Sequence, residues 1–174
     1  MKILLAYSSK TKNTKKVALE IYNTINENNN VTLFDIKKGK ILKDTYDLYI
    51  LGCWVDKATA NKNMVRFIEN NKIENKKTIL FMTCGVPKEH EHAKESIDNF
   101  KKLIEENNNE VLSTFICQGK IDPKIILVFK FLTWRNPDFI HKVDDELLKM
   151  VEDSKTHPDS QDLHDAKEWI KTLL

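Results

Sequence analysis

The stretch that decides the fold runs from Lys2-Ile-Leu-Leu-Ala-Tyr7 through Ser8-Ser-Lys-Thr-Lys-Asn-Thr14 into Lys15-Lys-Val-Ala-Leu-Glu-Ile-Tyr-Asn-Thr-Ile25. A near-continuous apolar run of six residues is the pattern of a strand buried on both faces of a parallel sheet. The polar segment after it opens directly into a helix, because Val17, Ala18, Ile21, Tyr22 and Ile25 recur at helical spacing. This predicts a strand, a short loop at its carboxyl end and a crossover helix.

The unit then repeats along the chain. Val31–Ile36, Tyr46–Gly52, Lys77–Thr83 and Val111–Cys117 read as further strands, rich in β-branched and aromatic residues. Helices are expected over Asn63–Asn70, Glu91–Asn107 and Ser160–Leu174, each with an apolar stripe. Strands alternating with helices imply right-handed βαβ units and a parallel sheet covered on both faces. The expectation is a single α/β domain over 1–174, a doubly wound five-stranded parallel sheet in the order 2-1-3-4-5. In that order ligands sit beyond the carboxyl ends of the strands.

Composition narrows the function classes. The chain has 174 residues with 28 basic and 26 acidic ones, a net charge of +2. That balance, with arginine only at positions 66 and 135, speaks against a nucleic-acid binder. No apolar stretch approaches the ~20 residues needed to span a bilayer, and the N-terminus lacks a signal peptide's apolar run and cleavage site. Cys53, Cys84 and Cys117 are odd in number, far apart and without a C-x-x-C pair, which suits a reducing cytoplasm rather than a disulfide or zinc framework. His90 and His92 at i, i+2 do not face each other on a helix, so a solvated helix start is expected there rather than a metal site.

Three loops converge on the carboxyl rim. Ser8, Ser9, Thr11 and Thr14 bring four hydroxyls, Asn13 an amide, and the helix start its free backbone N–H groups. Such a set can wrap a phosphate dianion. Lys2, Lys10, Lys12, Lys15 and Lys16 precede any acid, so the local potential is positive. The plainer alternative is a polar turn with an ordinary N-cap. Neither a Walker loop nor a Rossmann fingerprint is present. Gly52-Cys-Trp-Val-Asp-Lys-Ala-Thr-Ala60 places Trp54 among polar residues, where it is either a core plug or a stacking platform. Thr83-Cys-Gly-Val-Pro-Lys-Glu-His-Glu-His-Ala93 is the third loop. A phosphoacceptor domain of the same strand order would need an acidic pair where Ser8 and Ser9 stand.

At these residues the chain resembles the flavodoxin family. Ser9, Thr11, Asn13 and Thr14 match its phosphate loop, [ST]-x-T-G-N-T, and Lys12 stands where the family has Gly. Gly52-Cys-Trp-Val-Asp-Lys-Ala is similar to the family's flavin-covering loop, G-x-W-V-D-K-G. The resemblance implies FMN as cofactor, with Ser8, Ser9, Lys10, Thr11, Lys12, Asn13 and Thr14 around its phosphate. It implies that Trp54 flanks the flavin ring, that Val55, Asp56 and Lys57 supply backbone contacts near its N5 edge, and that Cys84, Gly85, Val86 and Pro87 approach its other side. Ala58 replaces a common Gly, which restricts the peptide flip that flavodoxins use.

The departure from the family is the segment 119–156, expected to hold helices over Pro123–Leu132 and Asp138–Asp153. Its apolar residues point in too many directions for a simple amphipathic surface helix. Packing on the core as a lid beside the cofactor is the leading expectation, with an apolar patch for a partner and contact with a membrane interface as alternatives. The resemblance implies electron transfer to a redox partner protein. Two other readings stay open: an FMN-dependent reductase of a small molecule, such as a tetrapyrrole like bilirubin (or an accessory to such a reductase), and a flavin-free binding module.

Overall fold

The structure, a computed structural model, describes residues 1–38, 41–136 and 143–174. Its long strands are β1 (Lys2–Tyr7), β2 (Asn30–Asp35), β3 (Leu48–Asp56), β5 (Lys77–Cys84) and β6 (Glu110–Gln118), with a two-residue β4 (Thr59–Ala60). The helices are α1 (Asn13–Ile25), α2 (Lys62–Asn70), α3 (Glu91–Glu105), α4 (Lys124–Arg135), α5 (Asp145–Asp153) and α6 (Ser160–Lys171). The long strands are all parallel and lie in the order β2-β1-β3-β5-β6, while β4 pairs antiparallel with β3. Setting the small β4 aside, this is the expected 2-1-3-4-5 order.

Each strand alternates its side chains between two apolar layers. Ile3, Leu5, Leu48, Ile50, Ile79 and Phe81 face α1 and α6, where Val17, Ile21, Ala166 and Ile170 cover them. On the opposite face Leu4, Tyr49, Leu51, Leu80 and Met82 meet Met64, Phe67 and Ile68 of α2 and Ile97, Phe100 and Ile104 of α3. The β1 core from Ile3 to Ala6 is fully buried, as its unbroken apolar run requires. At Gly52 a Cβ would stand 1.9 Å from the Phe81 ring, so only glycine lets that ring lie against β3.

Several boundaries differ from expectation. β3 continues four residues past Gly52, because Cys53 and Val55 keep the inward alternation on the α2/α3 face. β2 ends at Asp35, and Ile36–Lys38 form a 3-10 turn. In the inserted segment α4 runs to Arg135 and α5 starts at Asp145, where Asp144 caps it by accepting from the Leu147 N–H at 2.8 Å. The first residues of the helix expected from Asp138, positions 138–142, lie outside the described residues.

Against the lid expectation, α4 buries none of its twelve residues. Leu127, Val128, Phe131 and Trp134 are all exposed. The inserted segment is held at its base, where Lys120 N–H donates to the His157 carbonyl at 2.8 Å and Ile121 N–H to the Ser154 hydroxyl at 3.1 Å. His157, Asp159 and Asp162 also gather there: Asp159 and Asp162 form the capping box of α6, and His157 Nδ1 shares a hydrogen bond with Asp162 Oδ2.

Candidate functional site at the strand ends

The loop from Ser8 to Lys12 joins β1 to α1 at the carboxyl edge. Lys12 occupies the N-cap position with φ 73° and makes no side-chain cap. Its backbone takes the left-handed conformation that glycine adopts freely, at a cost of about 1–2 kcal/mol for a residue with a Cβ. No acidic side chain occupies the first turn of α1. The positive end of the helix dipole and its first N–H groups are therefore left without a protein counter-charge.

The four hydroxyls divide into two kinds. Ser8 Oγ donates to Asn61 Oδ1 at 3.0 Å, and Thr14 Oγ1 shares a 2.9 Å hydrogen bond with Thr83 Oγ1. Both are buried braces that hold the loop to α2 and to β5. Ser9 Oγ is also buried, yet it has no hydrogen-bond partner. Leaving such a hydroxyl unsatisfied costs about 1–3 kcal/mol, a deficit that an anionic oxygen in the loop would remove. Thr11, Lys10 and Lys12 are exposed, and Lys10 Nζ lies 3.8 Å from Asp122. A buried orphan hydroxyl beside an uncapped helix start fits a phosphate group.

Trp54 is the third residue from the end of β3, paired with Thr83 and half-buried. By strand alternation it follows Ile50 and Gly52 on the α1/α6 side, beyond the buried core. Next to it, Val55 pairs with Ala60 and Asp56 with Thr59. This two-residue hairpin turns at Lys57 and Ala58, with φ 53° and 56°. Positive φ at both central residues is the type I′ pattern, which favours Asn-Gly. Asn99 of α3 steadies the turn by donating to the Ala58 carbonyl at 2.9 Å.

The third wall starts at Cys84, which the structure makes the last residue of β5 rather than part of a loop. Burial pushes its thiol pKa up, and does so more strongly for Cys53 and Cys117. None is an activated nucleophile. Gly85 and Val86 are half-buried and Pro87 is exposed. His90 caps α3, its Nδ1 accepting from the His92 N–H at 3.1 Å.

The segment leaving β6 joins the first and third walls. Gly119 N–H donates to the Cys84 carbonyl at 2.7 Å, Gln118 Nε2 to the Gly85 carbonyl at 3.2 Å, and Asn13 Nδ2 to the Lys120 carbonyl at 2.8 Å. A Cβ at Gly119 would sit 3.0 Å from Asn13 Nδ2, so glycine permits this close approach. Asn13 thus spends its amide donor on the strap.

Sequence reasoning missed Asn61, Asn99, Gln118 and Gly119. Asn61 is the most connected of them. It caps α2 by accepting from Asn63 and Met64 N–H groups, accepts from Ser8, and donates to the Trp54 carbonyl at 3.4 Å. An Asn immediately before an apolar helical stripe was the available signal.

A doubly wound parallel sheet in this strand order, with three loops meeting at its carboxyl edge, defines a flavodoxin-like fold. The sequence matches a family model described as a flavodoxin domain over residues 4–171. The chain belongs to that flavodoxin domain family. It is 35% identical to the flavodoxin-like domain-containing protein BilS of Clostridioides difficile (strain CD3), with 100% of this chain and 97% of that protein covered. It is 29% identical to the uncharacterized protein MJ0298 of Methanocaldococcus jannaschii, covering 100% and 99% respectively. Among solved structures, oxidised flavodoxin 2 of Bacillus cereus aligns with a TM-score of 0.61 at 17% identity, over 98% of this chain and 96% of that one. A flavoprotein in complex with FMN from Lactobacillus acidophilus aligns with a TM-score of 0.52 at 16% identity, over 67% and 93%.

Proposed function

We propose that this chain binds FMN at the strand ends and passes electrons to a separate redox protein. The observation that carries the reading is the buried, unpartnered Ser9 hydroxyl beside the uncapped start of α1. Family membership and the FMN complex of the Lactobacillus acidophilus fold neighbour support the choice of nucleotide.

When bound, the flavin supplies the electron-transfer chemistry. The protein supplies grip and surroundings. Ser9, Thr11 and the backbone N–H groups of residues 10–14 hold the phosphate, in a field made positive by Lys10, Lys12, Lys15 and Lys16. Ser8, Asn13 and Thr14 line the same loop and keep its shape through Asn61, the strap and Thr83. Trp54 lies against one side of the ring, and the backbone of Val55, Asp56 and Lys57 borders its polar edge. Cys84, Gly85, Val86 and Pro87 close the other side. Three buried thiols with raised pKa values suit a reducing cytoplasmic setting.

Titrating apo-protein into FMN tests the reading. The expected result is stoichiometric quenching of flavin fluorescence, much weaker quenching of riboflavin, and at least a tenfold loss of FMN affinity in Ser9→Val. Unchanged FMN fluorescence at micromolar protein would refute it and leave the flavin-free binding module.

A further inference from the structure

The helix α4 turns an apolar ridge to solvent. Leu127, Phe131 and Trp134 stand at i, i+4 and i+7, with Val128 beside them, and they are 68%, 53%, 80% and 52% exposed. Phe131 and Trp134 touch, their ring centroids 6.1 Å apart. Ile126, Phe129, Leu132 and Thr133, on the opposite side, are half-buried. The ridge is therefore the more exposed side of the helix.

The charges carried by this helix have one sign. Lys124 and Arg135 mark its two ends, Lys130 flanks it, and no acid occurs between Pro123 and Asn136. All three cations are exposed, and none is in an ion pair with a carboxylate among the described residues. We infer that α4 is an interfacial helix that docks this protein, peripherally, on an anionic lipid surface.

Two considerations favour that occupant. Aromatic and leucine side chains between terminal cations match the layering of a bilayer interface, where apolar groups reach the acyl boundary and Lys or Arg heads stay among phosphates. A second copy meeting α4 face to face would oppose two sets of three cations. No described helix is long and apolar enough to cross a membrane, so the contact is with the surface. The inference does not depend on FMN.

Co-sedimentation of the full chain with vesicles tests it. Binding is expected to vesicles of phosphatidylcholine mixed with phosphatidylglycerol, to weaken as salt rises, and to be much weaker on phosphatidylcholine alone. Phe131→Ser with Trp134→Ser should abolish pelleting, and Lys130→Ala should weaken it roughly fivefold. Both variants should keep the parent's circular dichroism and FMN titration, since α4 lies outside the nucleotide's walls. Absence of pelleting on anionic vesicles overturns the inference and leaves an acidic protein as the occupant. Concentration-dependent dimerisation lost in the double variant overturns it in favour of a second copy.

Discussion

Replacing Ala58 by glycine should make this protein more stable, although it deletes a side chain. Ala58 has φ 56° in a two-residue hairpin whose partner, Lys57, has φ 53°. A Cβ in that conformation costs about 1–2 kcal/mol. Glycine removes the strain but gives back about 0.4–1 kcal/mol through the greater freedom of the unfolded chain. The net gain is about 0.5–1 kcal/mol, or roughly 2–3 °C in Tm for a chain of this size. The turn keeps its anchor, because Asn99 bonds the backbone carbonyl of residue 58. Combining Lys57→Asn with Ala58→Gly installs the pair that a type I′ turn prefers and should add to the gain. Thr59→Gly, one residue on and inside β4, should instead lose stability. Thermal and urea unfolding followed by circular dichroism measure all three. An Ala58→Gly protein that melts below the parent would refute the strain argument.

Other consequences are open to measurement. Asn61→Ala removes the cap of α2 and strands the buried Ser8 hydroxyl, so it should cost about 2–3 kcal/mol, read as a fall in Tm; Asn61→Asp, which keeps the acceptor, should retain most of that. The Lys88–Asp165 pair, at 2.8 Å, holds the Asp165 carboxyl below its ordinary value, chiefly through the Lys88 hydrogen bond. Because the folded pKa is the lower one, the pair's stabilisation is complete above the unfolded value of about 3.8 and is lost as pH falls through the folded value. Both partners are partly exposed, so Lys88→Ala should cost only about 0.5 kcal/mol at pH 7. Urea midpoints of Lys88→Ala and the parent should converge once Asp165 is protonated. Burial raises the pKa values of all three thiols, so a disulfide reagent at pH 8 should label native protein slowly and release three equivalents after unfolding.

The sheet was legible because its strands are buried on both faces and so appear as apolar runs; Lys2–Tyr7 and Lys77–Cys84 need no tertiary information to be recognised. The end of β3 was less so. Past Gly52 the strand mixes Trp54 and Asp56 with Cys53 and Val55, and the turn that ends it carries Lys-Ala instead of a recognisable Asn-Gly. Within the first loop, sequence could name four hydroxyls but could not divide them. Which of Ser8 and Ser9 is left unpartnered depends on Asn61, which lies 53 residues from Ser8, and Thr14 is committed by Thr83, 69 residues away. The same applies to Lys12, whose left-handed backbone is imposed by the loop against the residue's own preference. In 119–156 the apolar content was plain, but not its direction. Helical periodicity reports which residues share a side, not whether that side meets protein or solvent.

The chain leaving β6 touches the walls of the site through Gln118, Gly119 and Lys120 before it reaches α4. The segment between Asp122 and Ser154 is thus spliced in downstream of this strand-end rim, on a stem whose other leg is pinned by Ser154 and His157. Evolution can lengthen, trim or repaint that outgrowth while the grip beneath it stays as it is. A common scaffold can in this way acquire new destinations without relearning its cargo.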